Sequence, residues 1–187
     1  VSEYKRGIDG FERRLSDPQL YGMAYAYIAN QQGNEAESLL TDLAKRHPQH
    51  LWISLARAEA AKAAKKPALA ESRFEQILKD FPNNRAALLT YSQFLLEQDD
   101  RRLAQRAQNL LRTLDDPFGE DIVFQRSIAR AYELSGNTLR AAEAFAQVAY
   151  LNGRVDDAIN QLNALLKHDD LDYYQRARVE ARIAELR

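Results

Sequence analysis

The 187-residue chain carries 26 basic and 27 acidic side chains, a formal charge of −1, with 45% hydrophobic residues, 28% charged residues and no cysteine. Such neutrality lacks the electrostatic footprint of a nucleic-acid binder, and the missing thiols exclude disulfides and cysteine chemistry, which is compatible with a reducing cytosol or an oxidising periplasm and leans toward export, where stray thiols are a liability. No run approaches the roughly 20 apolar residues needed to span a bilayer, and the length is enough for one domain with a continuous apolar core.

Val1-Ser2-Glu3-Tyr4-Lys5-Arg6 has neither an initiator methionine nor an apolar signal segment, so the chain is expected to be a processed product or a piece of a longer protein. Tyr4, Ile8, Phe11 and Leu15 have helical spacing and predict an amphipathic leading helix over 3–15. Beyond it, Ala36, Ala70 and Ala104 recur at 34-residue intervals, and Pro48 and Pro82 keep the same interval twelve residues later. Ala24, Ala58 and Ser92 occupy the small positions twelve residues before each phased alanine. Leu40 and Leu43, Phe74 and Ile77, then Gln108 and Leu111 follow it, with Gln108 alone breaking the apolar rule. This is the period and pattern of tetratricopeptide helix-turn-helix units.

The phase slips by three around Asp115-Asp116-Pro117-Phe118-Gly119 and resumes with Ala129, Tyr132, Ala141, Phe145 and Val148. Ala158, Leu162 and Leu165 repeat the pattern half a period after Ala141, so one helix should serve two repeats. The predicted fold is therefore all-α, a tetratricopeptide superhelical solenoid forming a single domain. Repeats are expected over 17–48, 51–82, 84–117 and 121–151, an overlapping half-repeat over 141–168, and a capping helix over 171–186 with Tyr173, Ala177, Val179, Ile183 and Leu186 on its apolar face. Asp17-Pro18 reads as an N-cap with a first-turn proline, Pro67 as a first-turn residue, Asn83-Asn84 as a cap, and Gly33-Asn34, Gly136-Asn137 and Gly153-Arg154 as interhelical turns.

Catalytic constellations are absent. His47, His50 and His168 belong to no H-E-x-x-H arrangement, and His47-Pro48-Gln49-His50 spans a connection without further ligands nearby. Asp169, Asp170 and Asp172 lack the glycine and distant glutamate of a calcium loop and serve better as charge preceding a helix. With no phosphate loop and no nucleophile elbow, the chain is expected to be no enzyme and to hold no cofactor or metal.

What remains is a surface. In such a stack the first helix of each pair lines the inner wall, and the positions one and five after its first anchor point inward. Anchors at Leu20, Ser54, Leu88 and Gln125 project Tyr21 and Tyr25, Leu55 and Glu59, Leu89 and Gln93, and Arg126 and Arg130, with Trp52 bordering the same groove. Tyr21, Tyr25, Trp52, Glu59, Gln93, Arg126 and Arg130 are thus the candidate partner-binding residues for a protein or peptide, since Tyr, Trp and Arg dominate binding hot spots. The competing reading packs the aromatics on the leading helix and pairs the arginines with Glu133 and other acids on a solvated face. A clamp for C-terminal carboxylates, built from lysine and asparagine at the inward positions, does not match Tyr21, Leu55, Tyr25 and Glu59.

The segment Leu151-Asn152-Gly153-Arg154-Val155-Asp156-Asp157-Ala158-Ile159, the tail Tyr174-Gln175-Arg176-Ala177-Arg178-Val179-Glu180-Ala181-Arg182-Ile183 and the start Tyr21-Gly22-Met23-Ala24-Tyr25 resemble the C-terminal repeat domain of periplasmic zinc metalloproteases related to the β-barrel assembly-enhancing protease. The resemblance implies a Gram-negative periplasmic location. It also implies docking onto the outer-membrane β-barrel assembly machinery, or onto nascent outer-membrane and lipopolysaccharide-transport substrates. Zinc and its ligands would lie in an upstream catalytic domain, leaving this chain without proteolytic activity. The alternative is a stand-alone adaptor or scaffold with no peptidase, in the envelope or the cytoplasm.

Overall fold

The computed structural model describes residues 15–114, 120–168 and 171–187. Among them it contains no strand and ten helices: α1 (Asp17–Ala29), α2 (Gly33–Arg46), α3 (Leu51–Ala63), α4 (Pro67–Asp80), α5 (Arg85–Leu96), α6 (Arg101–Leu111), α7 (Ile122–Ser135), α8 (Thr138–Leu151), α9 (Val155–Leu165) and α10 (Tyr173–Glu185). Apart from Leu15, the leading helix expected over 3–15 lies outside the described residues, as do residues 115–119 and Asp169 and Asp170. The chain divides into two compact units, Val1–Ala87 and Leu88–Arg187. In the first, α1 packs on α2, α2 on α3 and α3 on α4, and α1 also reaches α3; in the second, α6 packs on α7, α7 on α8, α8 on α9 and α9 on α10.

A common turn sets the period. Gln31, Lys65, Asp99, Gly136 and Gly153 have left-handed backbones, with φ of 58°, 57°, 54°, 85° and 75°. Five residues after each of these, though not after the left-handed Gln49 (φ 60°) between α2 and α3, comes a buried alanine: Ala36, Ala70, Ala104, Ala141 and Ala158, none more than 5% exposed. In four of the turns the next N–H reaches back to close the preceding helix: Gln32 to the Tyr27 carbonyl (2.9 Å), Lys66 to Ala61 (3.0 Å), Asn137 to Tyr132 (2.8 Å) and Arg154 to Ala149 (3.0 Å). This is the six-to-one closure of a helix C-terminus around a left-handed residue. The chain reverses there, and the alanine is the fourth residue of each new helix.

Three of these left-handed residues carry a Cβ, which costs about 1 kcal/mol against glycine. Lys65 is exposed. Lys65→Gly is accordingly expected to stabilise the protein by up to about 1 kcal/mol, raising Tm by ~3 °C in a thermal melt; an unchanged or lowered Tm would show that the turn carries no such strain.

Helix starts follow their caps. Asp100 Oδ1 accepts from the N–H groups of Arg102 and Leu103, Asp121 Oδ1 from Val123 and Phe124, Asn84 Oδ1 from Ala87 and Asn137 Oδ1 from Arg140. Asp172 and Gln175 form a reciprocal capping box at α10. At α1 the cap is Ser16, boxed with Gln19, so Asp17 is the first helical residue and not the cap expected from Asp17-Pro18.

Gly33 corrects another expectation. The turn is made by Gln31, and Gly33 opens α2 with its backbone against the end of α3. A Cβ there would lie 2.1 Å from the Ala60 carbonyl oxygen and 2.3 Å from the Ala64 nitrogen. Its role is close approach, not flexibility.

In the first unit Leu20, Ala24, Leu39, Leu40, Leu43 and Ile53 form one apolar cluster, with Phe74 and Ile77 buried on α4. Across its helices runs an ion cluster. Arg73 of α4 grips Glu37 of α2 with both guanidinium nitrogens (2.7 and 2.8 Å), and Arg57 of α3 donates to the same carboxylate through Nε and a terminal nitrogen (3.2 and 2.7 Å). Burial raises the Glu37 pKa, but the hydrogen bonds from Arg73 and Arg57 outweigh it and hold the carboxyl below its ordinary value.

In the second unit α8 has two packed faces, against α7 and against α9. Its Ala146 and Ala149 join Ala158, Leu162 and Leu165 of α9 and Val179, Ile183 and Leu186 at the end of the chain. Gln108, out of pattern in the sequence, accepts the buried Ser135 hydroxyl at 3.3 Å. The apolar stripe of α10 is narrower than expected: Val179 and Ile183 are buried, whereas Tyr173 is 80% exposed and Ala177 is exposed.

Candidate functional site

The capping box at Ser16 and the proline in the first turn fix where α1 begins, and so where Tyr21 and Tyr25 stand one turn apart. Their rings lie 5.0 Å apart at 57°. Trp52, in the first turn of α3, is 51% exposed, and the Tyr21 hydroxyl donates to its backbone carbonyl at 3.3 Å. Burial, with Tyr25 alongside, pushes the Tyr21 phenol well above its ordinary pKa, which keeps it a donor. Between these helices opens a hollow of about 470 Å³ lined by Pro18, Tyr21, Leu43, Trp52 and Ile53, with Asp17, His47 and His50 at its polar side.

That polar side is already occupied. The His47 Nε2 sits 2.6 Å from Asp17 Oδ2, and the Arg46 guanidinium holds the other oxygen. The hydrogen bond from His47, followed by the charge of Arg46, overcomes desolvation and lowers the Asp17 pKa. No group of three or more metal-ligating side chains occurs among the described residues.

The remaining expected groove residues do not all join this surface. Leu55 is buried at 3% exposure. Glu59 is half-buried and pairs with Lys62 on its own helix at 2.7 Å. In the second unit, Gln93 is exposed on α5 between buried Ser92 and Phe94. Arg130 pairs with Glu133 (2.6 Å) and Asp99 (2.7 Å), so it follows the solvated-face reading; the Glu133 hydrogen bond leads the causes that raise its pKa. Arg126 is exposed, and no ion pair engages it among the described residues.

A second hollow, of about 370 Å³, was not anticipated from the sequence. Phe124, Ile128 and Tyr132, spaced at helical intervals on α7, face Leu162 and Val179, and Arg112, Arg140, Arg178 and Arg182 stand around them. The last two form rungs between α10 and α8. Arg178 holds Glu143 with two hydrogen bonds of 2.9 and 3.1 Å, and one turn on, Arg182 donates to Gln147 at 2.5 Å and to Glu185 at 2.7 Å. The Arg182 guanidinium also lies 5.4 Å from the Tyr150 ring centre. The only sequence signal was the matched i, i+4 spacing of Glu143 with Gln147 and Arg178 with Arg182.

Residues 20–50 match the family model of the tetratricopeptide repeat. Among solved structures, the chain is similar to a MamA segment, residue 41 to the end, from Desulfovibrio magneticus RS-1, with 16% identity, a TM-score of 0.61, and 92% of this chain and 96% of that one covered. A MamA RS-1 ArsTM double mutant gives 16% identity and a TM-score of 0.61 over 91% and 93% of the two chains. TTC0263, a thermophilic tetratricopeptide protein of Thermus thermophilus, gives 15% and 0.54 over 90% and 100%. No curated protein sequence matches the chain. The fold is the all-α tetratricopeptide one.

Proposed function

We propose that this chain is a protein-binding module without catalytic activity of its own, and that it grips a protruding or extended element of a partner at the aromatic hollow of its first unit. The observation that carries this is Trp52, half-exposed beside Tyr21 over an apolar cavity, with Tyr25 against the far side of Tyr21 on α1. A large aromatic held half open to water forgoes about half of its transfer free energy. Rigid Tyr and Trp side chains anchor partners at little entropic cost, because each has only two side-chain torsions to fix.

The sequence resemblance of the tail carries the reading further: the module docks a periplasmic zinc metalloprotease onto outer-membrane protein assembly machinery or its substrates. Zinc then belongs to a domain outside this chain. Trp52→Ala should leave the fold intact, since the side chain is half in solvent, and weaken capture of purified assembly-machinery proteins by about 30-fold, the effect of one hot-spot residue. Undiminished capture by the folded variant would remove Trp52 and its hollow from the mechanism. The coding region upstream of Val1 separates the finer readings: H-E-x-x-H on a helix behind a secretory signal supports the protease arm, and a start codon close by with neither leaves the stand-alone adaptor.

A further inference from the structure

We infer that the arginine-rimmed hollow of the second unit is a docking site for an acidic segment of a partner polypeptide that inserts one large apolar side chain. The inference shares with the reading above only that the chain binds proteins; it uses different residues on different helices. The floor of Phe124, Ile128, Tyr132 and Val179 supplies apolar surface, and about 370 Å³ leaves room for one bulky side chain. Four guanidinium groups stand at this hollow, against two described acids that pair with them, Glu143 and Glu185. A chain whose overall charge is −1 thus concentrates positive charge at one apolar opening.

The arginines differ in commitment. Arg178 and Arg182 are held by the two rungs to α8, which pre-orients them and lowers the entropy lost on binding. Each guanidinium has five donors, and Arg178 spends only its Nε and one terminal nitrogen on Glu143. Arg140 touches Glu143 only at 3.5 Å, and Arg112 is exposed with no ion pair among the described residues. Donors on successive turns of α10, joined by Arg140 and Arg112, suit several carboxylates spread along a segment better than one terminal carboxylate. The apolar floor between them asks for a hydrophobic anchor amid those acids.

The test uses the whole 187-residue chain and a fluorescent peptide, blocked at both ends, with one phenylalanine flanked by aspartates on each side. Saturable binding is expected, weakening from about 50 to about 300 mM salt as charges are screened. Arg140→Glu and Arg112→Glu, both at exposed positions, should each weaken it about tenfold with native melting curves. Aspartate-to-asparagine or phenylalanine-to-serine peptides should bind comparably less well. Equal affinity for the asparagine peptide, unchanged affinity in both folded variants, or binding confined to peptides with a free C-terminal carboxylate would each overturn the inference. Trp52→Ala should bind the peptide normally whether or not the aromatic hollow works as proposed. A peptide lost in Trp52→Ala but kept in Arg140→Glu would belong to the first unit, and this assignment would be wrong.

Discussion

Gly33→Ala is expected to destabilise the protein by about 3 kcal/mol, the upper range for overpacking, because the added carbon meets backbone and not a movable side chain. It would stand 2.1 Å from the Ala60 carbonyl oxygen and 2.3 Å from the Ala64 nitrogen. Those atoms belong to the end of α3, whose Ala64 N–H to Ala60 carbonyl hydrogen bond of 2.9 Å would have to break or shift with them. Relief therefore requires α2 to move off α3, opening the cluster around Leu39, Leu40 and Ile53. Gly22 is the control: it lies exposed within α1 with nothing within 4 Å of a built Cβ, so Gly22→Ala should stabilise by about 1 kcal/mol through helix propensity alone. Chemical denaturation of both variants checks the pair, and equal effects of the same sign would refute the close-approach role.

Glu37→Ala should cost about 2 kcal/mol at neutral pH. Removing one partner from a fully buried pair costs more, and from an exposed pair less; Arg57, Arg73 and Glu37 are 33%, 20% and 28% exposed, which places the cluster between. The loss also has a pH signature. The native pKa of Glu37 is depressed below its ordinary value of 4.5, so its stabilisation is complete above that value and disappears as pH falls through the lower native pKa. Wild type and variant should thus differ fully at pH 7 and converge toward acid. A constant difference down to the acid transition would show that Glu37 acts through packing and not through its charge.

The period of the fold was legible because helix contacts demand small residues at fixed distances, which printed Ala36, Ala70 and Ala104 onto the sequence. The turns themselves were half-legible. Gly136 and Gly153 advertise a left-handed backbone, but Gln31, Lys65 and Asp99 adopt it without any compositional sign. Gly33 misled for a related reason: a glycine meets two unrelated needs, and the sequence does not say whether positive φ or missing bulk is required. Repeat phase placed Tyr21 and Trp52 on helices that pack together, and the Tyr21 hydroxyl reaches the Trp52 carbonyl, yet phase gives the direction of a side chain and not what covers it, as buried Leu55 shows. The arginine hollow was out of reach because its rungs join residues 35 positions apart, Arg178 to Glu143 and Arg182 to Gln147, across helices read separately as a repeat and a cap.

The spacing of the left-handed residues says something about how such a chain can grow. Setting aside Gln49 in the connection from α2 to α3, the step from Gln31 to Lys65 to Asp99 is 34 residues, then 37 to Gly136, then 17 to Gly153, while the five residues from turn to alanine never change. Length variation is therefore absorbed where one turn hands over to the next, and a step of 17 adds a single helix with its turn. At that point the unit added is one helix and one reversal, so the stack is extended by a single helix where elsewhere it is extended by a pair.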